Sequence, residues 1–434
     1  MRHIVRVNLL AVIVGIIVGL LGSAFFFCIG HGYALLLMIT GPGATGAVPG
    51  WAIGAMVGAA LVGLSVSVTH RFAPETPGSG IHEIEGTLSG LRPPLRWPRI
   101  IPVKFICGVM AMAAGMILGR EGPTIHMGGA VGAAVAALFR ADDYNGKALV
   151  AAASGAGLAV AFNAPLGGIL FVVEELRDKF SITPIVLNGV IVASMASSIT
   201  GILVLDPGRL LPITVFDEIH WLDLVLATPL AAILGLYAAL FNASIPWAQD
   251  ALRVVAERIG RLPLALLIGG TIGALAGLLP EATGGGEVLT LHFLTHPPAI
   301  VLLFSLLLLR TLLFPLCYAA GTPGGIFAPQ LAAGTLLGLL YAEAVAALFP
   351  GLITEPAMFA VAAMAGLLAA TVGAPLTGAV LIAEMTGNYL LLPMMLVYSA
   401  VASLVAASLG SRPIYDILLE RTLRSASPAM PAGK

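Results

Sequence analysis

GREGP, Gly119–Pro123, decides how this chain is read. Between Lys104 and Arg140 it supplies the only fixed charges, Arg120 and Glu121. On its N-terminal side lies FICGVMAMAAGMIL, and on its C-terminal side TIHMGGAVGAAVAALF, whose one titratable group is His126. If that run lies in a membrane, each charge at mid-bilayer costs roughly 2.5–3.5 kcal/mol on insertion scales. Two charges ringed by glycines and closed by a proline therefore need a reason to be there.

Composition places the run in lipid. Of 434 residues, 59% are hydrophobic and 10% charged, against about 25% charged in a soluble domain. A mean hydropathy of +1.01, with many uncharged runs near helix-spanning length, predicts a polytopic helical membrane protein. Gly at 52 and Pro at 29 favour close helix packing and broken helices. A net charge of −1 with no basic block gives no sign of nucleic acid. Cys28, Cys107 and Cys317 sit in apolar segments and make neither a metal spacing nor an even set; no metal or cofactor motif is present. The uncharged stretch Val7–Gly30 is too long for a signal peptide and predicts an uncleaved first helix.

The runs are irregular. Some, such as 297–309, are too short to span, and two, 311–341 and 356–383, are long enough for a pair of short helices. Non-helical backbone at membrane depth is tolerated only when shielded by protein or lining a wet cavity. Basic residues gather before the first run (Arg2, Arg6), in the connection holding Arg71, Arg92, Arg96, Arg99 and Lys104, around Arg253, Arg258 and Arg261, and in the tail (Arg412, Arg421, Arg424). This pattern predicts both termini on the cytoplasmic side of a plasma (inner) membrane.

The chain also repeats itself. Gly54 and Gly58 match Gly269 and Gly273, 215 residues on. GSG at Gly78–Gly80 matches GGG at Gly284–Gly286, and GREGP matches GIFAP, Gly325–Pro329, both at an offset of 206. APLGGILFVVEE from Ala164 matches APLTGAVLIAEM from Ala374 at 210. The constant order predicts an all-α fold of two repeats, about 7–205 and 219–411, in one transport domain over 1–424, with a short cytoplasmic tail at 425–434. An odd number of crossings per half would invert one repeat against the other.

GSGIHE, GREGPT and GGIFAP each lead from a glycine turn into a helix start, where Pro123 and Pro329 lose no hydrogen bond. A helix N-terminus offers free N–H donors and about half a positive charge. One such end is worth at most ~2 kcal/mol, so several must converge to replace an anion's hydration. Such donors bind an anion without the grip of a fixed lysine. Glu121 is itself an anion and can occupy the site until it is protonated. Two readings of Glu121 stand at this point: a gate that carries protons, or a packing partner of Arg120. The repeated glycine turns favour the gate.

GSGIHEIEG, GREGP, GGIFAP, FNAPLGGILFVVEEL (Phe162–Leu176) and a late Pro-Ile-Tyr at Pro413–Tyr415 resemble, in order, the motifs of the CLC family of chloride channels and chloride/proton exchangers. The resemblance implies the CLC fold, with tilted and broken helices in two inverted repeats, and a homodimer with a separate pore in each subunit. It implies anion ligands at Ser79, Gly80, Ile81, Gly122, Ile326, Phe327 and Tyr415, with hydroxyls from Ser79 and Tyr415 and backbone N–H groups from Ile326 and Phe327. Glu121 would be the external gate. Glu175 would be the internal proton acceptor, a position that channels usually fill with an apolar residue. Glu174 would either hydrate the proton path or form a salt bridge, and Glu384, its match in the second half, would be structural.

Two positions depart from the family. His82 replaces a usual proline, and is either a titratable group near the inner entrance or a solvated loop residue. His126 lies where an uncharged polar residue is common, which favours packing or a water contact over a proton relay. Ten residues after Arg424 leave no room for the regulatory domains of many eukaryotic members. An intramembrane protease is excluded: HEIEG lacks the second zinc-binding histidine, and AASG lacks the first glycine of a rhomboid-type motif. The expected activity is chloride/proton antiport. The alternatives are a passive chloride channel, or an exchanger for nitrate or fluoride; Ser79, where nitrate-preferring members tend to have proline, favours chloride.

Overall fold

The computed structural model describes residues 2–41, 48–205, 210–213, 216, 221–353 and 355–426. The expected start of the second repeat at 219 and the end of the expected tail, 427–434, lie outside the described residues.

The first half runs α1 (Arg2–Thr40), α2 (Gly50–Phe72), α3 (Ile81–Leu88), α4 (Trp97–Ala113), α5 (Glu121–Leu138), α6 (Asp143–Phe162), α7 (Pro165–Glu175) and α8 (Pro184–Leu205). The second repeats the order as α9 (Trp221–Ile259), α10 (Arg261–Leu278), α11 (Glu287–Thr295), α12 (Ile300–Ala319), α13 (Phe327–Leu348), α14 (Pro356–Val372), α15 (Pro375–Thr386) and α16 (Leu392–Ser408). α17 (Ile414–Ala426) follows. Among the described residues, nine helices are long and apolar enough to cross a membrane, and no strand forms beyond two isolated bridges.

The long uncharged runs break where local chemistry allows it. Run 148–173 divides at Asn163, which takes a left-handed backbone (φ 51°) before Pro165 opens α7. Run 356–383 divides at Gly373 (φ 87°) before Pro375 opens α15. Two charges mislead the sequence reading. Arg310 separates two uncharged runs, yet α12 passes straight through it with the side chain buried. Lys104, counted with the cytoplasmic basic connection, lies inside α4 and is fully buried.

α2 and α10 pack through glycines: Gly54 faces Gly273 and Gly58 faces Gly269, so closely that a Cβ on any of them would collide with backbone across the contact. Such small-residue faces let helices approach in lipid. Each glycine touches the counterpart of the other, which is the mark of a two-fold relation. The two helices run antiparallel across that axis, so the axis lies across the helices and the repeats are inverted. α14 is buried along nearly its whole length, as a helix apolar on every side must be. Outward-facing side chains such as Leu203 and Val301, 80% and 73% exposed, suit a lipid-facing surface.

Candidate anion and proton site

The pseudo-two-fold axis passes between Gly119 and Gly325, which form an antiparallel bridge. Gly119 N–H donates to Gly325 O at 2.9 Å and Gly325 N–H to Gly119 O at 2.6 Å. This brings the starts of α5 and α13 together at the centre. Glu121 opens α5 and is fully buried. Its Oε1 accepts from Phe327 N–H at 2.6 Å and Ala328 N–H at 3.4 Å, so the carboxylate of one repeat rests on the helix N-terminus of the other. A Cβ on either Gly119 or Gly325 would strike that carboxylate, which explains the glycines.

The ion pair between Arg120 and Glu121, one of the two readings of the sequence, does not form. The Arg120 guanidinium instead lies over the Phe26 ring, 3.7 Å from its centroid. Its Nε is 4.0 Å from Glu287 Oε1 at the start of α11.

Ser79 meets this centre from α3's side. A Cβ on Gly122 would press on Ser79, and on Gly325 as well, so the three turns converge. Gly78 and Gly80 take left-handed backbones, φ 63° and 82°. Ile81 N–H, expected to face the anion, donates to Ser79 Oγ at 3.2 Å. That bond occupies a lone pair of the hydroxyl and leaves its proton for another acceptor. Tyr415 stands beside Ser79, its ring centroid 6.3 Å from that of Phe327, and its buried hydroxyl makes no protein hydrogen bond among the described residues. Ile326 caps α13 and is fully buried. Two hydroxyls and a helix N-terminus thus converge with no cation among these donors, an arrangement suited to a small anion.

Sequence reasoning missed the groups that hold this turn. Lys104 Nζ donates to Thr76 O at 2.9 Å and Gly78 O at 2.8 Å. Tyr318 Oη accepts from Ser79 N–H at 3.2 Å. In the second half Arg310 donates to the carbonyls of Glu281, Thr283, Gly284 and Gly285 at 2.9–3.1 Å. Lys104 and Arg310 are 206 residues apart, the offset that relates GSG to GGG. That offset was the available signal: each half carries a buried cation that ties down its glycine turn.

His82 lies on α3, 9% exposed, and is not a solvated loop residue. His126 is fully buried against Gly80, and neither ring nitrogen finds a protein partner among the described residues. Both line a cavity of about 820 Å³ that also reaches Gly78 and Tyr318.

On the same side α7 ends at Glu175. Its neighbour Glu174 forms no salt bridge among the described residues. Glu174 accepts from Leu376 N–H at 3.0 Å, Thr377 N–H at 2.6 Å and the Thr377 hydroxyl at 2.6 Å, capping α15. The carboxyl of Glu175 lies beside that of Glu85, from GSGIHEIEG. Glu85 is fully buried, and nothing in its motif singles it out.

Known proteins align with this geometry. The family model described as voltage gated chloride channel matches residues 58–407. The chain is 41% identical over 381 residues to an H(+)/Cl(-) exchange transporter ClcA of Vibrio parahaemolyticus, covering 87% of this chain and 81% of that one. It is 39% identical over 424 residues to the ClcA of Vibrio vulnificus, covering 97% and 91%. The crystal structure of a slow cyanobacterial Cl-/H+ antiporter superposes with a TM-score of 0.92 at 35% identity, covering 97% of this chain and 99% of that one.

Proposed function

The chain belongs to the voltage-gated chloride channel (CLC) family, and we propose that it exchanges chloride for protons across a bacterial inner membrane. The observation that carries this reading is the Glu121 carboxylate seated on the Phe327 N–H. An acid in that position competes with an anion for the same donors. Protonation removes its charge and weakens its hold, since hydrogen bonds to an ionised acceptor are roughly twice as strong as neutral ones. Chloride then takes the seat, and the displaced proton leaves with Glu121. Ser79, Tyr415, Ile326 and Phe327 hold the central anion, with Gly80, Ile81 and Gly122 shaping the turns around it. Glu175, at the far end of α7, receives protons from the cytoplasmic side.

The ligand set supports chloride over nitrate, because Ser79 keeps its hydroxyl. One cavity is lined by Arg92, Arg96, Arg253 and Arg421, which supports a single basic, cytoplasmic face for the α3–α4 connection, the end of α9 and α17. Arg6 donates to Phe139 O at 2.7 Å at the end of α5, which sets the N-terminus near Arg140. The native unit in this reading is a homodimer with one pathway per subunit, and residues 7–205 and 219–411 form a single transport domain.

Purified protein in liposomes, voltage clamped by an ionophore, tests the reading. A chloride gradient should drive protons uphill. Chloride flux with no proton movement would identify a passive channel instead.

A further inference from the structure

Four charged groups face one another at the inner end of α7. They are Glu85 from α3, Glu175 from α7, Lys179 from the segment after α7, and Asp416 from α17. Lys179 Nζ is 2.6 Å from Asp416 Oδ1 and 4.0 Å from Glu85 Oε2. The side chains of Glu85, Lys179 and Asp416 are 0%, 20% and 37% exposed, a gradient that runs from the interior to water.

Neither oxygen of Glu85 receives a protein donor among the described residues. Its neighbour is a second carboxyl, that of Glu175. Two carboxyls in contact bond only if one carries a proton, and both ionised would repel. Lys179 holds its own charge firmly: partial burial opposes it, but the Asp416 hydrogen bond and nearby Glu85 outweigh that, keeping its pKa above the ordinary lysine value. Asp416 directly follows Tyr415, whose hydroxyl sits by Ser79.

We propose that Lys179 is a positioning residue for proton coupling, a cation shared between Asp416 and the Glu85–Glu175 pair that ties the charge of that pair to the helix carrying Tyr415. When the pair holds one proton, Lys179 balances the remaining charge and stays on Asp416. When the pair passes that proton inward, its second negative charge draws the ammonium toward Glu85 and loosens Asp416, and with it the start of α17. Only O–H bonds are made and broken; a hydronium ion from the cytoplasmic solution supplies the replacement proton and leaves as water.

The inference rests on the exchanger reading, and the test separates the two. Proton and chloride fluxes are measured in the same liposomes for wild type, Lys179→Met, Lys179→Arg and Asp416→Asn, and for Lys179→Met in a Glu175→Gln background. We expect Lys179→Met to lower the proton-to-chloride ratio about tenfold, the scale of one pKa unit at a neighbouring acid. Lys179→Arg should restore most of it, and Asp416→Asn should lower it by less. In the Glu175→Gln background Lys179→Met should change chloride flux no further. An unchanged ratio in Lys179→Met overturns the proposal. So does an equal fall of both fluxes that persists in the Glu175→Gln background, because that marks a purely structural lysine. If wild type itself moves no protons, the exchanger reading fails and this inference fails with it.

Discussion

Glu174 and Glu384 each cap the helix on which the other stands. Glu174, on α7, accepts from Leu376 and Thr377 N–H at the start of α15. Glu384, on α15, accepts from Leu166 N–H at 3.1 Å and Gly167 N–H at 2.7 Å at the start of α7. The pairs are related by the same 210-residue offset, so the contact crosses the internal two-fold. Both carboxylates meet the free donors and positive end of a helix, each contact being worth about 0.5–2 kcal/mol.

Replacing either with alanine should therefore cost about 1–2 kcal/mol of stability. Denaturant unfolding in detergent micelles measures it. The double substitution should be less than additive, because the two caps share one helix pair. Proton coupling should change less in Glu174→Gln than in Glu175→Gln. A larger coupling defect at Glu174 would return it to the proton path.

Lys104 and Arg310 allow a paired test of turn positioning. Lys104→Met removes the donor to Thr76 O and one donor to Gly78 O, and an orphaned buried carbonyl costs about 1–3 kcal/mol. Because that turn presents Ser79, chloride affinity should fall by about tenfold, or 1.4 kcal/mol, in calorimetric titration. Arg310→Met should lower the unfolding free energy by a similar amount, with a smaller change in affinity, since its turn at Gly284–Gly286 offers no hydroxyl. Equal affinity losses in both would mean that general loosening, not the Ser79 turn, sets binding.

Helix starts and the repeated order were legible because each rests on local chemistry repeated at a nearly constant offset, whereas the contact of Gly54 with Gly273 and of Gly58 with Gly269 appears only in the fold. The place of Glu121 at a helix start was legible because Gly119, Gly122 and Pro123 mark a turn into a first helical turn. Its seat was not: the donors belong to Phe327 and Ala328, 206 and 207 residues away. Lys104 read as a loop cation because hydropathy counts charge and is blind to direction. Its side chain turns inward to carbonyls that the sequence cannot show as needing a donor. Glu85 hid for the same reason, being one of two acids on a short helix, with only the fold placing it against Glu175.

Selectivity should follow the Ser79 hydroxyl. Ile81 N–H fixes that oxygen at 3.2 Å, which frees its proton for the anion. Ser79→Pro should move the preference from chloride toward nitrate in competition flux measurements. Tyr415→Ala should weaken anion binding and coupling together, since it removes the facing phenol. An unchanged anion ranking in Ser79→Pro would place the selective contact elsewhere.

In the proposed exchange Glu121 is the gate and Glu175 the proton supply, and two variants test that division. Glu121 holds the donors of α13, whereas Glu175 ends α7 beside Glu85 and contacts none of those donors. Glu121→Gln should remove the proton carrier at the anion site, so chloride flux persists and loses its dependence on protons. Glu175→Gln should stop uphill proton movement by cutting the supply, while Glu121 remains able to take protons from the outer side. Chloride flux in that variant should therefore still respond to external pH, and in Glu121→Gln it should not. Exchange of an anion one way for a proton the other moves net charge, at about 2.3 kcal/mol per elementary charge per 100 mV, so wild-type proton flux should reverse with an imposed voltage. Flux assays on both variants, with external pH and voltage varied separately, check each point. If both variants lose external-pH dependence alike, the two acids act as one group and the division of roles fails.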